Sequence, residues 1–197
     1  MTIQSIITKY NRQLYSTSIF DPAAKGASVV LQNNNLSAYT SINSSWKSVK
    51  SNTSKSSGKY VVEFSQNVMT DAIYGIGDNS SPLESYPGST GIGGGWHVST
   101  NASNGTGITW SGPYPVSAAT SFYMMAIDLD NKKIWYAKDG VWVQGDPSSG
   151  TNPSLTWATS SPLFVAVGLY ANNFEVTCNF GLTKFVGNVP TGFIAGW

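Results

Sequence analysis

One stretch near the middle of the chain constrains the fold more than any other. Residues 122–144 contain three short β-prone runs, which are separated by Asp130-Asn131 and by Asp139-Gly140. An Asp-Gly pair between two such runs is a strong signal for a type I′ hairpin turn. The stretch therefore predicts a three-stranded antiparallel meander.

Other segments add strands to this meander. Apolar residues recur at every second position in two runs, which is typical of strands with one buried and one wetter face. The predicted buried sets are Tyr60, Val62 and Phe64 in one run and Phe174, Val176, Cys178 and Phe180 in the other. Val61, Glu63 and Ser65 are predicted to lie on the wetter face. Residues 122–129 and 162–170 are apolar on both faces and predict central strands that are covered on both sides.

The remaining segments predict one domain with a short N-terminal arm. Loops rich in Gly, Ser and Pro span residues 78–95 and 145–161, and residues 99–120 predict one weak strand. Residues 1–19 form the predicted arm, and the sandwich domain is predicted over 20–197. The spacing of five residues in the arm indicates one face of a short amphipathic helix: Ile3, Ile6, Ile7, Tyr10 and Leu14. Such an arm packs on its own domain or docks into a larger assembly.

Charge and cysteine content exclude several classes of function. Charged residues make up 11% of the chain, well below the roughly 25% of ordinary soluble domains. The net charge of +1 draws the protein to neither nucleic acid nor anionic lipid. Four lysines between residues 47 and 59 are interpreted as solvated: Lys47, Lys50, Lys55 and Lys59. Cys178 is the only cysteine, which excludes an intrachain disulfide and a cysteine metal cluster. We expect no signal peptide, no membrane insertion and synthesis in a reducing cytoplasm.

Few residues are suited to catalysis. His97 is the only histidine, and the glutamates Glu63, Glu84 and Glu175 lie in separate segments. No G-x-S-x-G motif is present in the sequence. We therefore predict no catalytic residue and no cofactor. Asp128 and Asp130 are weak candidates for calcium. The favoured interpretation is that Asp130 shapes the Asp130-Asn131 turn and that Asp128 caps neighbouring backbone.

The loop aromatics are the predicted ligand-binding residues. Exposed rings stack on sugars or fill pockets for peptide side chains, and they dominate binding energies. The alternative is that these rings cover the ends of the core. The first candidates are Tyr86, Trp96, His97, Trp110 and Tyr114, followed by Trp142 and Trp157.

Several motifs in order resemble those of SPRY domains. They begin with Phe20-Asp-Pro-Ala-Ala-Lys-Gly and Ser56-Ser-Gly-Lys-Tyr-Val-Val-Glu-Phe. Gly75-Ile-Gly-Asp, Tyr86-Pro-Gly, the run from Ala126 to Trp142, and Val176-Thr-Cys-Asn-Phe-Gly follow. The resemblance covers roughly residues 20–197 and implies a bent sandwich of two antiparallel sheets, similar to concanavalin A-like lectins. It also implies a non-catalytic module whose loops bind a peptide or another exposed ligand.

The residues of these motifs are similar to those of stand-alone SPRY domains from bacteriophages and bacteria. This similarity implies a virion surface protein, of the tail-fibre or receptor-binding type, that recognises a host-surface glycan or protein. A second expectation is a structural virion component, such as a capsid decoration or a tail joint, whose residues 1–19 contact other virion proteins. A homo-oligomer fits both roles, and a fibre tip would be a trimer. The expectation from another class is a carbohydrate-active enzyme on a lectin-like sandwich.

Overall fold

The computed structural model describes residues 18–67, 72–89, 93–97, 102–104, 121–158, 160–172 and 174–197. This part of the chain is all-β and contains no helix. Its strands are β1 (Phe20–Lys25), β2 (Val29–Gln32), β3 (Ser37–Thr40), β4 (Lys47–Ser51), β5 (Lys59–Gln66), β6 (Ala72–Gly77), β7 (Gly94–His97), β8 (Ala102–Asn104), β9 (Phe122–Asp128), β10 (Lys133–Lys138), β11 (Val141–Trp142), β12 (Leu155–Thr156), β13 (Phe164–Leu169), β14 (Glu175–Asn179) and β15 (Ile194–Ala195).

These strands form two sheets that pack face to face. The first sheet has the order β1-β4-β13-β6-β7-β8. The second has the order β11-β10-β9-β5-β14-β3-β2, with β12 beside β10 and β15 beside β5. Neighbouring strands are antiparallel, and the β15–β5 pair is the parallel exception among the pairs described. The predicted two-sheet antiparallel sandwich is confirmed.

The main core lies between the sheets and is rich in stacked aromatic rings. Phe64 of the second sheet stacks on Tyr74 of the first, with ring centroids 4.4 Å apart. Trp96 of the first sheet packs against Tyr123 and Tyr136 of the second sheet, and its exposure is 0%. The phenol hydroxyl of Tyr136 donates to the backbone carbonyl of Tyr74 over 3.0 Å, so the polar atom of this buried ring is satisfied.

The predicted meander and its turn are confirmed. Strands β9, β10 and β11 pair in succession. Asp139 and Gly140 join β10 to β11 with φ angles of 51° and 80°. Two successive positive φ angles define a type I′ turn, which Asp-Gly adopts readily. Cys178 is fully buried in the core, as predicted from its strand face.

The outer face of the second sheet carries a smaller second core. Val61 on β5 and Trp135 on β10 are fully buried beneath Phe185 and Phe193 of the C-terminal segment. The prediction that Val61 and Glu63 lie on a wetter face is therefore wrong. The physical reason is that residues 184–195 return across this face, which local alternation of apolar residues cannot reveal.

The outer face of the first sheet is covered by a different segment. Residues 78–89 lie over glycines that the strands present there, with Ser81 against Gly77 and Pro87 against Gly168. Lys50 is 6% exposed under this segment, so the prediction that it is a solvated lysine is wrong. Its ammonium donates to the carbonyls of Asp78 and Asn79 over 2.9 and 3.4 Å.

Most of the predicted arm lies outside the described residues, which begin at Ser18. Ser18 is buried, and its hydroxyl donates to the backbone carbonyl of Trp197. Ile19 exchanges two hydrogen bonds with Asn52, one through its amide to the Asn52 side chain and one through its carbonyl. The chain therefore enters the sandwich beside its own C-terminal residue.

Candidate functional site

Four half-buried aromatic rings meet at one end of the first sheet. Trp46 is at the centre, with Tyr170, His97 and Tyr86 at centroid distances of 5.1, 5.2 and 5.6 Å. We call Trp46, Tyr86, His97 and Tyr170 the aromatic patch. Each of these rings packs against a neighbour and still presents part of its surface to solvent. The edge-to-face geometry of the Tyr86 and His97 rings on Trp46 is a favourable arrangement that restrains all three.

Strand ends place three of these rings together. Trp46 immediately precedes β4 and Tyr170 immediately follows β13, and these strands are paired with Lys47 opposite Leu169. His97 is the last residue of β7 and pairs with Ile73 at the start of β6. Because the four strands end at the same end of the sheet, the rings beside those strand ends are neighbours. The sheet register therefore determines the composition of the aromatic patch.

Residues 78–89, which cover the outer face of the first sheet, approach the sheet closely at Gly168 and so reach the same end of the strands. A Cβ atom at Gly168 would lie 2.9 Å from Cδ of Pro87 and 3.4 Å from Cε3 of Trp46. The first distance is shorter than real Cβ contacts. The absence of a side chain at Gly168 therefore allows Pro87, and with it Tyr86, to pack against the sheet.

Polar contacts fix the segment that carries Tyr86. The hydroxyl of Ser48 donates to the carbonyl of Ser85, and the amide of Ser48 donates to the carbonyl of Leu83. The Glu84 carboxylate pairs with the Lys47 ammonium over 2.7 Å. Its other oxygen accepts from the amide of Ala27 over 2.7 Å. The hydrogen bond from Lys47 is the main cause that holds the pKa of Glu84 below its usual range, with the Ala27 amide second.

The start of the same segment is anchored by Asp78 and Lys50. The Asp78 carboxylate accepts from the amides of Ser80 and Ser81 over 2.9 and 3.0 Å, which closes a tight turn. Burial lowers the pKa of Lys50, against the opposing attraction of Asp78 and Asp21. The segment is thus held at both ends, so the position of Tyr86 is built into the fold.

The structure brings together only part of the predicted ligand-binding set. Tyr86 and His97 meet in the aromatic patch. The prediction that Trp96 lies at the surface is wrong, because the inward face of β7 places its indole in the main core. Trp110 and Tyr114 lie outside the described residues.

Two further predicted residues lie elsewhere. Trp142 is half-buried on β11 beside the second core, and Trp157 is half-buried against the main core at the opposite end of the sandwich from the aromatic patch. The sequence reasoning missed Trp46 and Tyr170. Their available signal was the position of each aromatic residue directly outside an apolar strand run, before residues 47–51 and after 164–169.

The aspartates considered for calcium have other partners. The Asp128 carboxylate accepts from the amide and side chain of Asn131 over 3.0 and 2.9 Å, and it pairs with the Lys59 ammonium over 2.9 Å. Burial alone would raise the pKa of Asp128, but these contacts outweigh it and lower the pKa. Asp130 accepts from the amide of Gly58 over 2.9 Å. The predicted capping of neighbouring backbone by Asp128 is confirmed by its hydrogen bond from the Asn131 amide.

The metal-ligating and nucleophilic side chains considered from the sequence lie apart, are buried or have other partners in the described residues. Within the ranges given above, no three of the His, Cys, Asp and Glu side chains are close enough to hold a metal ion. Burial raises the pKa of the Cys178 thiol well above its usual value, which makes it a poor nucleophile. The Glu63 carboxylate is engaged by the amides of Val186 and Gly187. No helix in the described part of the chain is long and apolar enough to cross a membrane.

Three solved structures that align with this chain are SPRY domains. The SPRY domain of human HERC1 aligns with a TM-score of 0.64 over 84% of this chain and 99% of that domain, at 13% identity. The fold is that of a SPRY domain. The PSpry domain of TRIM65 aligns with a TM-score of 0.62 at 14% identity, covering 83% of this chain and 92% of that domain.

A third SPRY neighbour supports the same fold assignment. A human SPRY domain aligns with a TM-score of 0.56 at 16% identity, over 81% of this chain and 98% of that domain. No family model matches the sequence, and no curated protein matches it either. At these identities the likeness is one of fold, and the resemblance noted from the sequence motifs is confirmed at that level.

Proposed function

We propose that this SPRY-like domain is a non-catalytic binding module and that the aromatic patch contacts its ligand. The observation that carries the proposal is the cluster of Trp46, Tyr86, His97 and Tyr170, each half-buried and each restrained by ring packing. Restrained rings lose little conformational freedom on binding and supply large contact areas. A rigid patch of this kind suits an exposed segment of a protein or the apolar face of a sugar.

The charges described beside the patch do not favour a strongly charged ligand. Its charged neighbours Lys47 and Glu84 neutralise each other in an ion pair. The net charge of the chain is +1. The ligand is therefore recognised mainly by shape and ring contacts, with hydrogen bonds from the surrounding loops, and nucleic acid is disfavoured.

We further propose that the module acts on the surface of a bacteriophage virion and recognises a host-surface glycan or protein. Two observations support this proposal. The residues of the sequence motifs are similar to those of stand-alone SPRY domains from bacteriophages and bacteria, and the composition is rich in Ser, Thr, Asn and Gly with only 11% charged residues. A structural virion role is the alternative, as a capsid decoration or tail joint. The two are separated by oligomeric state, because a fibre tip should be a trimer and a decoration need not be. Sedimentation of the full-length protein measures this directly.

The proposal disfavours a carbohydrate-active enzyme for a physical reason. Retaining and inverting glycosidases need two carboxyl groups about 5–10 Å apart and open to the substrate. Asp128 is buried in its turn, and Glu63 is occupied by backbone amides. A reducing-end assay on the polysaccharide panel below checks this exclusion. New ends produced by the wild type and lost in Asp128→Asn would contradict it.

The test is binding of the labelled full-length protein to a panel of bacterial surface polysaccharides and whole cells. We expect saturable binding to at least one member, and a loss of at least tenfold in affinity for Tyr86→Ala/Tyr170→Ala. Trp142→Ala is the matched control, because it removes a half-buried ring away from the patch. Equal losses in the two variants, or no binding to any member by folded wild type, would overturn the receptor-binding proposal.

A further inference from the structure

A pocket of about 310 Å³ lies at the end of the sandwich opposite the aromatic patch. Its apolar lining is Leu129, Leu163 and Trp157. Leu163 immediately precedes β13, whereas Tyr170 of the patch immediately follows that strand. The two leucines are 6 and 1% exposed, and the half-buried Trp157 packs against the main core. We call this the Trp157 pocket. Small-molecule sites begin at about 300 Å³, so its size suits one small ligand.

Hydrogen bonds hold together the chain segments that form the walls of this pocket. Lys55 and Leu163 exchange two backbone hydrogen bonds, each of 2.8 Å. The amide of Gly58 donates to the Asp130 carboxylate over 2.9 Å, and the carbonyl of Gly58 accepts from the amide of Leu129 over 3.0 Å. The walls are therefore in place before a ligand binds, which reduces the entropy lost on binding.

Lys132 lines the pocket from an uncommon backbone conformation. Its φ angle is 56°, in the left-handed region that residues other than glycine adopt infrequently. Its ammonium donates to the carbonyl of Ala158 over 2.8 Å and to the hydroxyl of Ser160 over 3.2 Å. Backbone strain of this kind clusters at ligand sites, and here it accompanies a cationic group on the pocket wall.

The polar part of the lining suits a ligand with several hydroxyl groups. Asp130 and Lys132 line the pocket together with three serines: Ser56, Ser160 and Ser161. A carboxylate has about four acceptor positions, and a lysine ammonium has three donors. Within the described residues, the Gly58 amide uses one position on Asp130, and Lys132 has two acceptors. Both groups therefore keep capacity for a ligand, one as an acceptor and the other as a donor.

A neutral pyranose ring combines the features that this lining favours. Its C–H face packs on an aromatic ring such as that of Trp157, and its hydroxyls both donate and accept hydrogen bonds. Because the pocket carries one carboxylate and one ammonium, a charged ligand of either sign would lie beside a like charge. An uncharged polyol avoids that cost. The lining thus favours a sugar over a phosphate or an amine.

We propose that the Trp157 pocket binds a single neutral sugar ring, stacked on Trp157 with its hydroxyls toward Asp130 and Lys132. This is a second site at the other end of the domain from the aromatic patch, so either proposal can fail without the other. A single ring with few contacts should bind with a dissociation constant of about 1 mM. A long polysaccharide offers few chain ends, so at the concentrations that fill the aromatic patch it leaves this pocket open.

Fluorine NMR of the full-length protein labelled with fluorotryptophan tests the site. The Trp157 signal is assigned with Trp157→Phe, and the probes are the methyl glycosides of glucose, galactose, mannose and N-acetylglucosamine. We expect at least one probe to shift the Trp157 signal saturably and to leave the Trp142 signal in place. The Trp46 signal reports on the aromatic patch independently.

A lysine variant checks the polar contact. Lys132→Asn should weaken the binding of that glycoside by at least about fivefold, because it removes a charged donor. Asparagine tolerates the left-handed φ angle, so this variant should fold. Lys184→Asn is the matched control, because it removes an exposed lysine on the C-terminal segment.

An unmoved Trp157 signal at about 50 mM of every glycoside, well above the expected dissociation constant, would overturn the proposal. Equal affinity in Lys132→Asn and Lys184→Asn would also overturn it. So would tighter binding of a methyl glucuronide, which is anionic, than of the neutral glycosides. A sugar that moves the Trp46 signal alone would overturn the Trp157 pocket and support the aromatic patch.

Discussion

The outer faces of the two sheets are covered in opposite ways. On the first sheet the strands present Gly77 and Gly168, and residues 78–89 lie close against them and are held there by hydrogen bonds from Ser48 and Lys50. On the second sheet the strands present large side chains such as Trp135, and residues 184–195 cover them with phenylalanines. The first face depends on the absence of side chains and the second on their presence. Only the first cover carries a ring of the aromatic patch, so close backbone packing is what positions the candidate site.

The largest expected effect is on the second sheet. Trp135→Ala removes a fully buried indole and its hydrogen bond to the Thr151 carbonyl, which measures 2.8 Å. We expect the free energy of unfolding to fall by about 3–5 kcal/mol in chemical denaturation. Trp142→Ala, in the half-buried rim of the same cluster, should cost only about 1 kcal/mol. A loss of about 1 kcal/mol or less for Trp135→Ala would mean that the second core contributes little.

On the first sheet, adding a methyl group should cost more than removing one. A Cβ at Gly75 would lie 2.0 Å from the carbonyl oxygen of Gly94, so Gly75→Ala forces the backbone apart. We expect a loss of about 1–3 kcal/mol in the free energy of unfolding. Ala166 pairs with Gly75, and Ala166→Gly should cost about 0.5–1 kcal/mol. The reverse order would break the proposed contrast between the two faces.

The anchors of the two covers should differ in strength. The buried Glu63 carboxylate accepts from the amides of Val186 and Gly187 over 3.0 and 2.9 Å. Hydrogen bonds to a charged group are stronger, so Glu63→Ala should cost about 1.5–3 kcal/mol. Ser48→Ala, which removes one neutral hydrogen bond to residues 78–89, should cost about 0.5–1.5 kcal/mol. Thermal unfolding at neutral pH ranks the variants, and a larger loss for Ser48→Ala would contradict the account.

The smallest effect concerns the ion pair of the first cover. The pKa of Glu84 is lowered in the folded state by its hydrogen bond from Lys47. Its stabilising contribution is therefore present above the unfolded pKa, about 4.3, and is lost as the pH falls through the lower folded value. The difference in stability between wild type and Glu84→Gln should shrink between pH 7 and pH 3. The Glu84 side chain is 57% exposed, so the difference is small throughout, and a difference that grew in acid would contradict this sign.

The sequence predicted the strands better than their surroundings. The Asp139-Gly140 turn and the burial of Cys178 follow from local rules, and the structure has both. The burial of Val61 does not follow from local rules, because it depends on a segment more than a hundred residues away. Alternation reports which residues share a face, and it does not report what later covers that face.

The aromatic patch was half predicted for the same reason. Tyr86 and His97 were found because they lie in loops or at their edges, but so was Trp96, whose strand face turns it into the core. Trp46 and Tyr170 are separated by more than 120 residues and become neighbours only through the pairing of β4 with β13. Sheet register is the information that the sequence pattern lacks.

The central claim is that the aromatic patch contacts the ligand, and oxidative footprinting tests it most directly. The full-length protein is oxidised with and without the polysaccharide or cells that bind it in the panel, and each aromatic residue is quantified by mass spectrometry. We predict at least threefold protection of Trp46, Tyr86, His97 and Tyr170, with Trp142 and Trp157 unchanged. Protection confined to Trp142 or Trp157, or no protection of the patch at saturating ligand, would contradict the account.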